Sequence, residues 1–265
     1  MTLPRVATVG DNCIDRYAPP LAVSTVGGNA VNVAVRLREL GTVSAYFGAV
    51  GDDAAGRRVL AALDAAGVER SHVQIVAGHT ATTDLVVDAS GERVIGAEDF
   101  GACHGYRAPP DDLDRLAAMA HVHIGWLADG GELRRRLGER GVSVSKDLAV
   151  NPGAQGLDIA FASAGADRAY GEALIGNILA EGARVAVVTL GAMGSMASDG
   201  REAVGTSILP VDVVDTTGAG DSFIAGFVSA HLKGDPLGAC LEAARRAAAE
   251  TCTHIGGFRQ VPVSQ

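Results

Sequence analysis

Apolar positions along the chain change their period several times, and the changes outline a succession of strands and helices. Arg5 to Gly10 reads RVATVG, a short β-rich run that stops at the turn formers Gly10-Asp11-Asn12, as the first strand of an α/β sheet would. Residues 13–25 are mixed and interrupted by Pro19-Pro20, which suits short edge strands. From Asn29 to Leu40, the residues Ala30, Val33, Ala34, Leu37 and Leu40 recur at helical spacing, and Gly41 follows where a C-cap belongs. Val43 to Val50 predicts a strand, and Ala54 to Ala66 a second helix ended by Gly67. Between Val73 and Ile95 the alternation breaks. The β-prone segments QIV, TTDLVVD and RVI, joined by Gly78 and by Ser90-Gly91, predict a small antiparallel flap.

Beyond the flap the alternation resumes. Strands are predicted at Val122–Ile124, Val142–Ser145, Ile159–Ala162 and Val185–Leu190, with helices at 131–140 and near 167–181. A hairpin at 194–206 around Asp199-Gly200, a strand at Val211–Val214 and helices at 219–232 and 236–253 complete the chain. Repeated β-then-α units imply a mostly parallel sheet with helices on both faces and ligands at the carboxyl ends of its strands.

Composition narrows the function classes. With 265 residues, 48% hydrophobic and 20% charged, the chain fits one folded domain carrying at most a small subdomain. The 22 basic and 31 acidic residues leave a formal net charge of −9, and Arg134-Arg135-Arg136 is the longest basic run, with Arg245-Arg246 a shorter one. That balance argues against nucleic acid or an anionic membrane as a partner. The N-terminal stretch lacks the pattern of a signal peptide, and no run approaches the ~18 apolar residues of a membrane helix, so a cytoplasmic protein is expected. Cys13, Cys103, Cys240 and Cys252 show no metal or redox spacing and read as free thiols. The 35 glycines, against 4% aromatics with Trp126 the sole tryptophan, mark tight turns and close backbone approaches.

The segment Asp215-Thr216-Thr217-Gly218-Ala219-Gly220-Asp221-Ser222-Phe223 lies between a strand and an apolar helix. Two glycines let the backbone turn closely at a helix start, where unpaired N–H groups and the positive dipole end attract an anion. Asp221 in the first turn would set a carboxylate beside that anion, placed to take a proton from an alcohol attacking phosphorus. An isolated GAGD is equally compatible with a helix cap and a plain turn.

The nine-residue run, followed by Ile224-Ala225-Gly226-Phe227, resembles the C-terminal signature of the ribokinase-like (PfkB) carbohydrate kinases. Gly27-Gly28-Asn29-Ala30-Val31-Asn32-Val33-Ala34 is similar to the N-terminal signature, and Gly48 to Gly56 to the G-x-V-G-x-D-x-x-G element. Thr189-Leu190-Gly191-Ala192-Met193-Gly194-Ser195 is similar to the T-x-G-x-x-G turn that faces the nucleotide phosphates. The resemblance spans nearly the whole chain. It implies a three-layer α/β/α core over 1–265, a mostly parallel sheet, and a small β-strand lid formed within 12–25 and 80–96.

It also implies roles. Asp221 would be the catalytic base, with the amides of Gly218, Ala219 and Gly220 as the anion hole. Asp11, Asp15, Gly28, Asn29 and Asn32 would line the sugar pocket. Thr189, Gly191 and Gly194 would contact ATP, whose adenine would lie against the stretch after Ser207 and the last helix near Ala248 and Thr251. A monovalent cation such as K⁺ would bind the backbone of Asp215 and Thr217. Mg²⁺ is expected with ATP, although the family's Asn-x-x-Glu is replaced here by Phe161-Ala162-Ser163-Ala164-Gly165-Ala166-Asp167, with Glu172 the next glutamate. Asp147 is the alternative carboxylate, and a solvent-facing turn aspartate is the other reading of it.

Within the family, GDNCIDRY and GGNAVNVAV most resemble the fructoselysine-type kinases, which phosphorylate the 6-hydroxyl of an amino-acid-linked fructose. Other ketohexose or sugar-acid kinases remain open, as does a sugar- or nucleotide-binding regulator without turnover, against which the intact Asp221 argues. Exposed lid strands suggest a homodimer. His121-x-His123, on a predicted strand, reads as packed histidines, since no third ligand accompanies the pair. No G-x-x-x-x-G-K-[ST] or G-x-S-x-G is present, which excludes a P-loop and disfavours an esterase.

Overall fold

In the computed structural model, which describes residues 4–87 and 93–265, the chain runs β1 (Arg5–Val9), β2 (Cys13–Tyr17), β3 (Val23–Gly27), α1 (Asn29–Glu39), β4 (Val43–Gly51), α2 (Ala54–Ala66), β5 (Val73–Val76), β6 (Thr82–Val87) and β7 (Arg93–Asp99). It continues through α3 (Gly101–Gly105), α4 (Pro110–Ala117), β8 (His121–Ile124), α5 (Gly130–Gly138), β9 (Val144–Asp147), β10 (Ile159–Ser163), α6 (Arg168–Ala180) and β11 (Val185–Thr189). The last elements are β12 (Ser195–Ser198), β13 (Ala203–Thr206), α7 (Ala219–His231), α8 (Leu237–Thr251) and β14 (Val263–Ser264).

Nine strands form the main sheet in the order β13-β12-β11-β10-β9-β8-β1-β4-β5. All pairs from β11 to β5 are parallel, and β12 and β13 add an antiparallel edge. Alternation along each strand sends its residues to two faces. On one face Ala7, Val9, Val122 and Ile124 pack with Leu113 and Leu116 of α4, Leu133 and Leu137 of α5, and Ile178 of α6. On the other, Val6, Phe161 and Val187 meet Val33 and Leu37 of α1, Phe223 and Phe227 of α7, and Leu241 of α8. The result is the expected α/β/α arrangement. Because the strands are parallel, β1, β8, β9, β10 and β11 all end on one edge, and the loops that leave it are brought together.

A second sheet, in the order β14-β3-β2-β6-β7, rises from that edge. Strand β2 pairs antiparallel with β3 and parallel with β6, while β6 and β7 are antiparallel with a register irregularity between Thr83 and Leu85. The Ser90-Gly91 turn expected in this region lies outside the described residues. Val73–Val76, expected in the flap, instead pairs in parallel with β4, from Gly48↔Val73 to Gly51↔Val76, at the edge of the main sheet. It follows α2 and closes an ordinary β-α-β crossover. Val211–Val214 forms no strand: Val213 and Val214 are exposed, and the Val214 amide donates to Cys252 O instead of to a ladder. Helices α3 and α4 had no sequence forecast, because five and eight residues carry too few apolar repeats to reveal a period. The four cysteines are free, three of them buried, and no helix among the described residues is long and apolar enough to cross a membrane.

The Gly48–Gly56 motif explains how the two sheets are joined. Asp53 N-caps α2, accepting from the Gly56 amide at 2.7 Å, and the same carboxylate accepts from the Thr80 amide at 3.0 Å and the Thr80 hydroxyl at 2.7 Å. One side chain thus fixes both the start of α2 and the residues that lead into β6. Replacing Asp53 by Ala is expected to cost about 1–2 kcal/mol, read as a lower urea midpoint; an unchanged midpoint would show that the cap carries no stability.

Candidate active site

The α1 start is built from backbone that admits no side chain. Gly28 is its N-cap at φ 101°, a region L-residues avoid, and a Cβ there would lie 2.5 Å from Asn12 Cα. With no side-chain cap of its own, the helix takes one from the end of β1: Asp11 accepts from the Asn29 amide at 2.8 Å, the Ala30 amide at 3.3 Å and the Trp126 amide at 3.1 Å. Burial, with a smaller contribution from the Asp221 carboxylate, pushes the Asp11 carboxyl up to about 6 against these donors. Three amides occupy three of its roughly four acceptor directions, leaving one for a ligand hydroxyl.

Asp221 is the third residue of α7, whose N-cap, Gly218, adopts φ 73°. A Cβ on Gly218 would meet Gly257 Cα at 2.3 Å, so this close approach also requires glycine. The Asp221 carboxylate is gripped from α1: Asn29 Nδ2 donates to its Oδ1 and Asn32 Nδ2 to its Oδ2, each at 2.7 Å. Asn29 and Asn32 sit three apart on one helix face, which is what lets both reach a single carboxylate. Asn29 Nδ2 also donates to Asp147 Oδ2 at 3.2 Å, at the end of β9. Burial raises the Asp147 carboxyl, and the charge of Asp11 adds to the effect.

At the α7 start, the Ala219 amide is engaged by Thr216 O at 3.1 Å, so of the three amides expected in the anion hole this one is committed to the turn. Gly220 is exposed with nothing within 4 Å of a would-be Cβ, and helix geometry directs its first-turn amide outward. The preceding Asp215 is fully buried; it accepts from the Thr217 amide and hydroxyl at 2.9 and 2.7 Å, from Tyr17 of β2 at 2.7 Å and from the Gly256 amide at 2.8 Å. Tyr17 therefore ties the second sheet to the loop that opens α7. The β2 residue expected at the site, Asp15, is buried with its carboxylate over Gly27, where a Cβ would come within 2.0 Å of Oδ2.

The Thr189–Gly194 turn lies where β11 ends. Gly191 and Gly194 take φ 54° and 102°, and a Cβ on Gly194 would fall 1.9 Å from Thr206 O, inside the hairpin. Thr251 is fully buried: its hydroxyl donates to Ala247 O and receives that of Ser222 at 2.6 Å, so it joins α8 to α7 and offers no surface to a nucleotide. Ala248 is only partly buried against the same core. Asp167 and Glu172, the acids nearest the missing Asn-x-x-Glu, are both used elsewhere, Asp167 capping α6 through the Tyr170 amide and Glu172 pairing with Arg168. Among the described residues no group of three or more His, Cys, Asp or Glu is placed to hold a metal ion.

Three contributors had no forecast role at the site. Trp126 follows β8, holds Asp11 through its amide and stacks on Phe100 with ring centroids 3.8 Å apart. Tyr17 acts from β2, and His123 meets Asn29 Oδ1 at 3.4 Å. Tyr17 closes GDNCIDRY and His123 closes His121-x-His123, but neither pattern assigns them a role at the site; only the fold brings the three near.

Independent likenesses agree with this geometry. A family model described as pfkB family carbohydrate kinase matches residues 5–130 and 149–263. The chain is 35% identical over 260 residues to the fructoselysine 6-kinase of Escherichia coli (strain K12), covering 96% of this chain and 99% of that one. It is 29% identical over 267 residues to the fructosamine kinase FrlD of Bacillus subtilis (strain 168), covering 96% and 93%. Among solved structures, adenosine kinase from Sinorhizobium meliloti matches with a TM-score of 0.83 at 25% identity, covering 98% of this chain and 97% of that one. Arabidopsis thaliana ribokinase complexed with ribose and ATP matches with a TM-score of 0.83 at 24% identity, covering 96% and 94%.

Because only ionised Asp11 accepts from a ligand without donating, KM for the acceptor is expected to rise as pH falls through about 6. Asp11→Asn should raise KM about tenfold, the scale of one hydrogen bond to a charged group, and flatten that dependence. A wild-type KM constant between pH 7.5 and 5.5 would remove Asp11 from acceptor binding.

Proposed function

The chain belongs to the pfkB family of carbohydrate kinases, and from that premise we propose that it transfers the γ-phosphoryl group of ATP to the 6-hydroxyl of fructoselysine or a closely related fructosamine. The observation that carries the reading is the Asp221 carboxylate, held by Asn29 and Asn32 at the opening turn of α7 beside Asp11. A base must be fixed in direction and close to where phosphate charge gathers, and this one is both. Asp221 takes the proton of the hydroxyl as its oxygen forms the new bond to the γ-phosphorus. The bond from that phosphorus to the bridging oxygen breaks, and ADP leaves. The amides of Gly220 and Gly218 would receive the transferred group, while that of Ala219 stays with Thr216 O.

Sugar identity rests on the relatives. Near-complete coverage by a fructoselysine 6-kinase and a fructosamine kinase favours an amino-acid-linked ketose over a pentose or nucleoside. Asp11, Asp15, Gly28, Asn29 and Asn32 would meet its hydroxyls, and the Phe100–Trp126 stack offers an apolar platform next to Asp11.

ATP would lie along the Thr189–Gly194 turn toward Ala248. Magnesium would arrive with the triphosphate, whose charge it neutralises; Asp147, which the Asn29 side chain holds together with Asp221, is the carboxylate placed to assist it. A monovalent cation such as K⁺ would use the backbone oxygens of Asp215 and Thr217, in a loop already made rigid by the four donors on the Asp215 side chain. The β2-β3-β6-β7-β14 sheet would act as the lid that excludes water. Its paired and exposed Val86 and Val94 favour a homodimer through the same strands. The setting would be the cytoplasm.

Asp221→Asn is expected to lower turnover with MgATP and fructoselysine by about 100-fold or more while nucleotide affinity changes little, measured by coupled ADP release and by titration of ADP. A fall of less than about tenfold would take the base role from Asp221. Release of ADP with pentoses or nucleosides but not with amino-acid-linked fructoses would overturn the substrate.

A further inference from the structure

His121 and His123 point from β8 to the same face of the main sheet and are completely buried, yet each ring nitrogen has a partner. Ser143 Oγ lies 2.8 Å from His121 Nδ1, and Ser145 Oγ lies 2.7 Å from His121 Nε2 and 2.9 Å from His123 Nδ1. His123 Nε2 then meets Asn29 Oδ1 at 3.4 Å, and Asn29 is the residue that grips Asp221. A continuous row of polar contacts therefore runs from the interior of β9 to the proposed base.

The direction of the row follows from proton counting. Burial lowers both histidines to about 3, so each ring is neutral and carries one N–H. Asn29 Nδ2 faces two carboxylates, Asp221 at 2.7 Å and Asp147 at 3.2 Å, and spends both of its protons there. Its Oδ1 must then receive, and His123 Nε2–H is the donor. His123 Nδ1 is left as an acceptor for the Ser145 hydroxyl. The Ser145 oxygen accepts in turn from His121 Nε2–H, and His121 Nδ1 accepts from Ser143. Every member donates toward Asp221, and every buried valence in the row is satisfied.

We propose that His123, backed by Ser145 and His121, is a positioning residue for catalysis: by donating to Oδ1 it braces the Asn29 amide from behind and holds Nδ2 in line with Asp221. With His123 unable to donate, Oδ1 loses this partner, and the amide is free to swing off Asp221 toward other donors. Its charge-assisted bond to the base then loses its fixed direction. Asn32 would still hold Asp221 Oδ2, but Oδ1 would lose its bond from Asn29. The inference rests on Asp221 as base. The other charged or titratable groups facing the row are Asp147, which shares Asn29 Nδ2, Asp11 by Asp221 and His231 by His121.

The test uses the full chain with MgATP and fructoselysine, rates being normalised to folded protein. His123→Leu is expected to lower kcat about tenfold with KM for ATP within about twofold. His123→Gln, whose amide can donate to Asn29 Oδ1, should recover most of the loss, and Ser145→Ala should lower kcat about threefold. In the wild type, histidine-selective ¹⁵N NMR should find both rings neutral with the proton on Nε2. A purely structural role would lower the melting temperature of His123→Leu and leave kcat per folded molecule unchanged; that result, an Nδ1–H tautomer at His123, or a Gln variant no better than Leu would overturn the proposal. Should His123→Leu fail to fold, Ser145→Ala and the tautomer decide. Should Asp221→Asn prove fully active, the base reading fails by itself, and the tautomer together with the His123→Gln rate still reports on the row.

Discussion

Three carboxylates from three different elements converge on one asparagine side of α1, and the rest of the site is arranged around the need to satisfy them. Asp11 comes from the end of β1, Asp147 from β9 and Asp221 from α7, with Asn29 touching all three through its amide nitrogen or its side chain. Like charges so close are tolerated only where N–H donors meet them, and burial already raises Asp11 and Asp147. The donors come from a helix start and from two asparagines at helical spacing. In consequence α1, α7 and the β1 edge are locked to one another, and an acceptor hydroxyl has a narrow place to enter.

Bare backbone is the second condition. Gly28 lets the α1 start lie against Asn12, Gly218 lets the α7 start lie against Gly257, and Gly27 leaves room for the Asp15 carboxylate. A methyl group at any of these would separate groups that must work within hydrogen-bond distance. These three glycines thus serve the meeting of the two sheets with the proposed sugar pocket. Tyr17 and Asp53 complete the joint, the first binding the smaller sheet to Asp215 and the second binding its entry to α2.

Much of this was legible in the amino-acid sequence, and the reasons differ by feature. Helices α1, α2, α7 and α8 were visible because their apolar periods run over eleven to fifteen residues. The Gly28–Asn32 and Gly218–Asp221 segments were visible because local backbone demands leave a local signature. Strand β5 was misplaced because a four-residue apolar run has no period to separate a flap from a sheet edge; its partner, β4, is chosen by the crossover. Val211–Val214 looks like a strand by composition and finds no ladder. Thr251 was assigned to the nucleotide from a likeness, whereas its hydroxyl is consumed between two helices. Trp126, Tyr17 and His123 carry no signal of a role at the site, since each reaches it through contacts more than ninety residues away in the chain.

The central claim is geometric: the acceptor hydroxyl meets Asp221 at the start of α7. A crystal structure with ADP, magnesium, aluminium fluoride and fructoselysine tests it directly. The account predicts the 6-oxygen of the sugar within about 3 Å of an Asp221 carboxylate oxygen, in line with the aluminium and the ADP leaving oxygen, and fluoride on the Gly220 amide. A sugar bound with another hydroxyl in line, or with its 6-oxygen nearer to Asp147 or Asp11 than to Asp221, would contradict it.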